Sequence, residues 1–171
     1  MADFNSAFET MIDNEGGHRL TNVANDRGGR TYAGIARNLN ADWPGWAIID
    51  RGDMSNSQLP QLVRDFYRTN FWNPICGDAI SSQEIATAIF DSAVNMGTST
   101  AARLAQLAVK ALPDGRIGQE TVTALNAFDE SVFVLKYAVA RIARYAQICN
   151  MDNSQDRFLL GWINRTMKGL T

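Results

Sequence analysis

A single histidine, His18, stands in 171 residues, and the two cysteines, Cys76 and Cys149, lie far apart in the chain. One histidine and two isolated thiols lack the spacing of a zinc site, so no metal and no cofactor are expected. Wide spacing and synthesis in the cytosol also favour packed, reduced thiols over a disulfide. An excess of one charge is missing too. The formal net charge is -2, which argues against a general nucleic-acid binder, because phosphate binding needs a strong basic surplus. Long apolar runs are lacking: Val132 to Ala146 is broken by Lys136, Arg141 and Arg144, so no membrane-spanning helix is expected. Met1-Ala2-Asp3-Phe4-Asn5 supplies neither a basic nor an apolar leader segment, and no signal peptide is expected. Repeats and low-complexity linkers are absent.

What is present is a composition 46% hydrophobic and 20% charged. That suits one well-cored domain, or a domain with a closely packed second lobe, and it excludes disorder. The charge is uneven. From Ser131 onward, six Lys or Arg residues face two acids, Asp152 and Asp156. Such a segment suits an anionic partner such as cell wall or lipid headgroups, and equally a solvated helix face.

Apolar spacing reads as helix almost throughout. Phe4, Ala7, Phe8, Met11 and Ile12 share one helical face, ended by Gly16-Gly17. His18 to Tyr32 has no helical period and is rich in Gly, Asn, Asp and Arg. It reads as a loop or short hairpin turning at Asp26-Arg27-Gly28-Gly29. A short helix is expected after Gly34, punctuated by Trp43-Pro44-Gly45-Trp46. Leu59, Leu62, Val63, Phe66, Tyr67 and Phe71 mark a longer helix with Pro60 in its first turn. Ser81-Ser82-Gln83-Glu84 resembles a capping box for a helix that runs to Gly97. Thr98 or Ser99 then caps a helix carrying Leu104, Ala108 and Leu112. Asp114-Gly115 is a turn, Thr121 to Ala127 a short helix, and Asp129 the cap of a long one. In that long helix Val132, Leu135, Val139, Ile142, Ala146 and Cys149 recur at helical spacing, and Phe158, Leu159 and Trp162 define a last helix. The expected fold is therefore all-α or nearly so, with a small loop or hairpin.

The stretch Glu15 to Ile35 holds the parts that hydrolysis of a glycosidic bond needs: a proton donor and, across the sugar, a carboxylate or a held water. Glu15 ends an amphipathic helix, where the negative end of the helix dipole and partial burial both raise a carboxyl pKa, as a general acid requires. Asp26 and Thr31 follow on a loop that can fold back towards it, and Gly28-Gly29 permits left-handed angles and close approach of a sugar. The same residues also fit a plainer reading, a helix end followed by a turn.

Glu15-Gly16-Gly17, Asp26-Arg27-Gly28-Gly29-Arg30-Thr31 and Gly34-Ile35 together resemble the signature of glycoside hydrolase family 108, N-acetylmuramidases of phage endolysins and prophage regions. A second block, Phe90-Asp91-Ser92-Ala93-Val94-Asn95-Met96-Gly97 with Ala101-Ala102 and Gln106, resembles the helix end bordering the sugar cleft in such enzymes. Asp114-Gly115-Arg116-Ile117-Gly118 with Thr121 and Leu125, and Gly161-Trp162-Ile163-Asn164-Arg165, resemble the peptidoglycan-binding region that accompanies them. His18 stands where the family commonly has Tyr, Arg27 where Pro is common, and the aromatic Tyr32 comes one place early.

The resemblance implies a lysozyme-like fold, with residues 1–97 catalytic and 98–171 a helical peptidoglycan-binding region packed against them. It implies hydrolysis of the β-1,4 bond between N-acetylmuramic acid and N-acetylglucosamine. Glu15 would be the acid, Asp26 and Thr31 would position water, and His18, Gly29, Tyr32, Asp91 and Asn95 would contact substrate. Trp43, Trp46 and Trp72 are read as core rather than sugar platforms, and Trp162 and Arg165 as structural. A monomer is expected, waiting in a host cytoplasm until a holin-type pore releases it to the peptidoglycan. Two other functions fit the same residues: a lytic transglycosylase, and a non-enzymatic wall-binding or secretion-assisting protein.

Overall fold

The computed structural model describes residues 1–14, 17–22 and 28–170. Eight α-helices and one three-stranded antiparallel sheet occur among the described residues, the mainly helical architecture expected. The chain forms two compact units, Asp3–Trp72 and the residues from Asn73 onward with Met1–Ala2.

The first unit opens with α1 (Phe4–Asn14), whose Phe4, Ala7, Phe8, Met11 and Ile12 are all buried. The Gly17 N–H donates back to the Ile12 carbonyl at 2.9 Å, with Gly17 at φ +77°. This is the left-handed helix stop that the glycine pair foretold. Strands β1 (Leu20–Asn22), β2 (Arg30–Tyr32) and β3 (Ile35–Ala36) pair in that order, with Thr21 opposite Thr31 and Tyr32 opposite Ile35. The expected helix after Gly34 is thus replaced by β3. Ala33 and Gly34 take φ +49° and +78°, and two central residues of positive φ make the tight turn whose twist matches a β-hairpin. Helix α2 (Gly45–Asp50) starts inside the Trp-Pro-Gly-Trp segment rather than being ended by it. A Cβ on Gly45 would lie 2.1 Å from the Trp43 ring, so only glycine lets this helix start against that indole. Helix α3 (Leu59–Tyr67) carries Pro60 in its first turn and passes into a π-helical turn, Arg68–Trp72. The core forms where Phe4 meets Trp72 edge-on at 5.7 Å and Phe8 meets Tyr67 at 5.9 Å. Arg64 and Arg68 cover the faces of Phe8 and Phe4.

The second unit holds α4 (Gln83–Met96), α5 (Thr98–Val109), α6 (Gln119–Asn126), α7 (Glu130–Met151) and α8 (Asp156–Lys168). Helix α4 packs on α5 and α7, so it groups with the helices that follow it. Ser82 is its cap, accepting from the Ile85 N–H at 3.0 Å; Glu84 falls one place too early to complete a capping box. Gly97, at φ +86°, ends α4 and begins α5 without a side-chain cap. Lys110 takes a left-handed conformation and the Ala111 N–H reaches the Gln106 carbonyl at 2.8 Å, so α5 stops before Leu112, which is exposed. Gln106 itself is fully buried. Its amide nitrogen donates to the Asp114 carboxylate (2.7 Å), the Arg116 carbonyl (3.0 Å) and the Thr121 hydroxyl (3.1 Å), while its oxygen accepts from the Gly115 N–H. One side chain thereby shapes the Asp114–Gly118 loop.

Asp129 caps α7 through the Val132 N–H, as expected, but the inward face of α7 differs from the one its aliphatic spacing suggests. Phe133, Tyr137, Ala138, Arg141, Tyr145 and Cys149 are buried, whereas Val132, Leu135 and Val139 are exposed. Two stripes of helical period compete along α7, and the aromatic one carries the larger apolar area and wins the interior. Cys76 and Cys149 are both free thiols.

Candidate functional site

Glu15 and Asp26 lie outside the described residues, and the site is built from the elements on either side of them. Thr31 occupies the middle of β2, held by Thr21 on one side and Ala36 on the other. It is half-buried, and its hydroxyl donates to the Gly29 carbonyl at 3.4 Å. Successive residues of a strand point to opposite faces, and Tyr32 occupies the inner one. It is 3% exposed and stacks on Trp43 at 6.1 Å, so Tyr32 backs the strand from within. Burial pushes its phenol pKa upward and keeps the ring neutral. His18 is exposed and meets the Tyr32 ring at 6.3 Å. Gly29 stands at φ +68°, and a Cβ there would lie 2.9 Å from the Asn38 side chain. The close approach that this glycine permits in the folded chain is therefore by Asn38.

Trp43, Trp46 and Trp72 are all buried, in keeping with the core reading. Trp43 Nε1 donates to the Leu62 carbonyl and Trp46 Nε1 to that of Asn40, which joins α2 to α3 and to the end of the hairpin.

One feature of this hairpin escapes sequence inspection. Asp50, the last residue of α2, accepts a bidentate pair from Arg37 at 2.7 Å for each bond, and a further bond from Arg30. Arg30 directly precedes Thr31, and Arg37 follows β3 and lies over the Trp46 ring at 5.1 Å. One carboxylate thus fastens both ends of the β2–β3 hairpin to one helix. Hydrogen bonds from Arg37 first and Arg30 second hold the Asp50 carboxyl well below the usual carboxylate range. Asp50→Asn should therefore lower the melting temperature at neutral pH. A depressed folded pKa contributes stability above the unfolded value of about 4, lost only as pH falls through the folded value. The gap between wild type and variant should accordingly stay constant down to about pH 5 and close below about pH 4. Melting curves across that range check it, and a gap that widens on acidification would contradict the clamp.

In the second unit, Asp91 is almost fully enclosed by arginines. Its Oδ2 accepts from Arg141 at 2.9 Å, and its Oδ1 from Arg165 Nη2 and Nε at 2.8 and 3.0 Å. This triad ties α4 to α7 and α8, and it gives Arg165 the structural part expected of it. One turn later Asn95 accepts from the Tyr145 hydroxyl at 3.2 Å, and Tyr145 stacks on Trp162 at 5.0 Å.

The family model described as "Glycosyl hydrolase 108" matches residues 8–97, and one described as "Predicted Peptidoglycan domain" matches residues 85–167. The two overlap on most of α4. No functionally curated protein matches the chain. Among solved structures it is similar to SagA of Brucella abortus, with a TM-score of 0.75 and 25% identity over 97% of this chain and 90% of that one.

Proposed function

The chain belongs to the glycosyl hydrolase 108 family and is a glycoside hydrolase acting on peptidoglycan, and from that premise we propose that it hydrolyses the β-1,4 bond between N-acetylmuramic acid and N-acetylglucosamine. Glu15 protonates the leaving oxygen, and Asp26 and Thr31 hold the attacking water. The observation that carries this reading is the family match over residues 8–97, which takes in Glu15, Asp26 and Thr31. The fixed place of Thr31 on a clamped strand supports it, because a hydroxyl that must aim a water needs a rigid mount. We read the biological role as endolysin: the enzyme stays in a host cytoplasm until a holin-type pore opens, then degrades the wall.

A carboxylate paired with a hydroxyl is suited to sharing a water, which a nucleophile does not require. The expected outcome is inversion, with Glu15 and Asp26 separated by about 6.5–9.5 Å to leave room for that water. NMR on fresh digests should show the α anomer first. First-formed β product would recast Asp26 as the nucleophile, and anhydro ends in the mass spectrum would mean a lytic transglycosylase. On cells, added enzyme should clear a chloroform-permeabilised Gram-negative suspension. Lysis on intracellular expression alone, with the inner membrane whole, would contradict the dependence on a pore.

A further inference from the structure

At the end of the helical unit where α4 passes into α5, a half-open cavity of about 180 Å³ is lined by Asn95 from α4, Thr100 from α5, Arg144, Tyr145 and Ile148 from α7, and Trp162 from α8. Its chemistry is uneven. The Trp162 ring, stacked on Tyr145, and the Ile148 side chain make an apolar wall. The same lining also holds a cation, Arg144, and two polar groups, Asn95 and Thr100. Arg144 has no ion pair among the described residues, whereas the neighbouring Arg141 and Arg165 are committed to Asp91. Asn95 spends its oxygen on the Tyr145 hydroxyl, which leaves its amide N–H groups available. Thr100 sits in the first turn of α5, whose start has no side-chain cap, so the positive end of that helix adds to the same field.

We propose that this cavity binds the free α-carboxylate end of a peptidoglycan stem peptide, with Arg144 as the carboxylate anchor. The inference rests on the reading that the enzyme acts on peptidoglycan, and it assigns the second unit a particular part of that polymer. The sugars of the glycan strand offer neutral N-acetyl and hydroxyl groups, and the lactyl carboxylate is consumed in the amide that carries the peptide. The Arg144 guanidinium, without an ion pair among the described residues, therefore selects the peptide, whose end is anionic. A guanidinium fork matches a carboxylate. The Trp162 and Ile148 surfaces suit an alanyl methyl group, and Asn95 and Thr100 suit the adjoining peptide bond.

The test uses the full-length protein and two probes, N-acetyl-D-alanyl-D-alanine and its C-terminal amide. Binding is followed through the Trp162 indole N–H signal by NMR. Wild type should bind the acid about tenfold more tightly than the amide, the scale of one lost charge-assisted contact. Arg144→Gln should bind both equally weakly with an unchanged melting temperature, and Arg144→Lys should restore part of the discrimination. On whole sacculi Arg144→Gln should raise KM. Equal binding of acid and amide by wild type, or undiminished discrimination by Arg144→Gln, would overturn the proposal. Peptide binding is measured without hydrolysis. Loss of binding by an enzyme that still cuts glycan therefore rejects this inference alone, and peptide binding by a chain that cannot cut glycan rejects the proposed activity alone.

Discussion

Glu15→Gln should lower the rate of peptidoglycan hydrolysis by at least about a hundredfold, the scale lost when a positioned general acid is removed. Glutamine keeps the size and hydrogen-bonding reach of the side chain and removes only the transferable proton. Folding and binding should survive, so the variant should still sediment with purified sacculi and melt near the wild-type temperature. Under the proposed mechanism Asp26→Asn and Thr31→Ala should each slow the reaction less completely, because the water they would position can still enter from solvent. The decisive measurement is release of reducing ends from sacculi. A Glu15→Gln enzyme that lyses permeabilised cells at the normal rate would remove Glu15 from the mechanism and leave its place before Gly16-Gly17 as an ordinary helix end.

The largest effect on stability is expected at Asp91. Its side chain is 13% exposed and stands between the guanidinium groups of Arg141 and Arg165, of which Arg141 is 5% exposed. Arg141 Nε already lacks a hydrogen-bond partner among the described residues. Removing the carboxylate leaves two guanidinium groups facing each other with no anion between them, a loss on the order of 3 kcal/mol or more. Asp91→Ala should thus unfold at clearly lower urea, with the same dependence on denaturant as wild type. Arg165→Met, which removes the more solvated arginine and leaves the buried Asp91–Arg141 pair intact, should cost less. A change within about 1 kcal/mol for Asp91→Ala would show that water replaces the carboxylate and that the triad is not what holds α4 against α7 and α8.

These two positions were unequally legible in the sequence. As a candidate, Glu15 is marked by local context in the sequence, an acidic residue after an apolar-periodic stretch and before two glycines, and the helix up to Asn14 lies as the periodicity requires. The Asp91 triad joins residues 50 and 74 positions apart, and no spacing rule reports such a pairing. The same holds for Asp50, which meets Arg37 and Arg30 at separations of 13 and 20. Arg144 is one cation among many until the neighbouring arginines are seen to be taken. Helix α7 failed for a different reason. Its two apolar stripes have the same period, and periodicity cannot tell which faces inward. The segment after Gly34 failed because its turn is made by tertiary contacts rather than by a recognisable turn pair.

That last point bears on the order in which the chain folds. Two consecutive positive-φ residues are easily adopted by Asn-Gly, but Ala33 carries a Cβ and no local polar group to favour the conformation. Its backbone is secured from elsewhere: its N–H donates to the Arg19 carbonyl at 3.1 Å, and its own carbonyl accepts from the Tyr67 hydroxyl at 2.8 Å. The β2–β3 hairpin is therefore poorly suited to serve as a nucleus, and is expected to close only once α3 brings Tyr67 to it. On that order the strand carrying Thr31 should be completed late in folding and open early on unfolding, although it is fixed in the native state. Backbone amides of Tyr32, Ile35 and Ala36 should exchange with solvent in step with the loss of the α3 contact, and Tyr67→Phe should speed that exchange while leaving the amides within α3 slow.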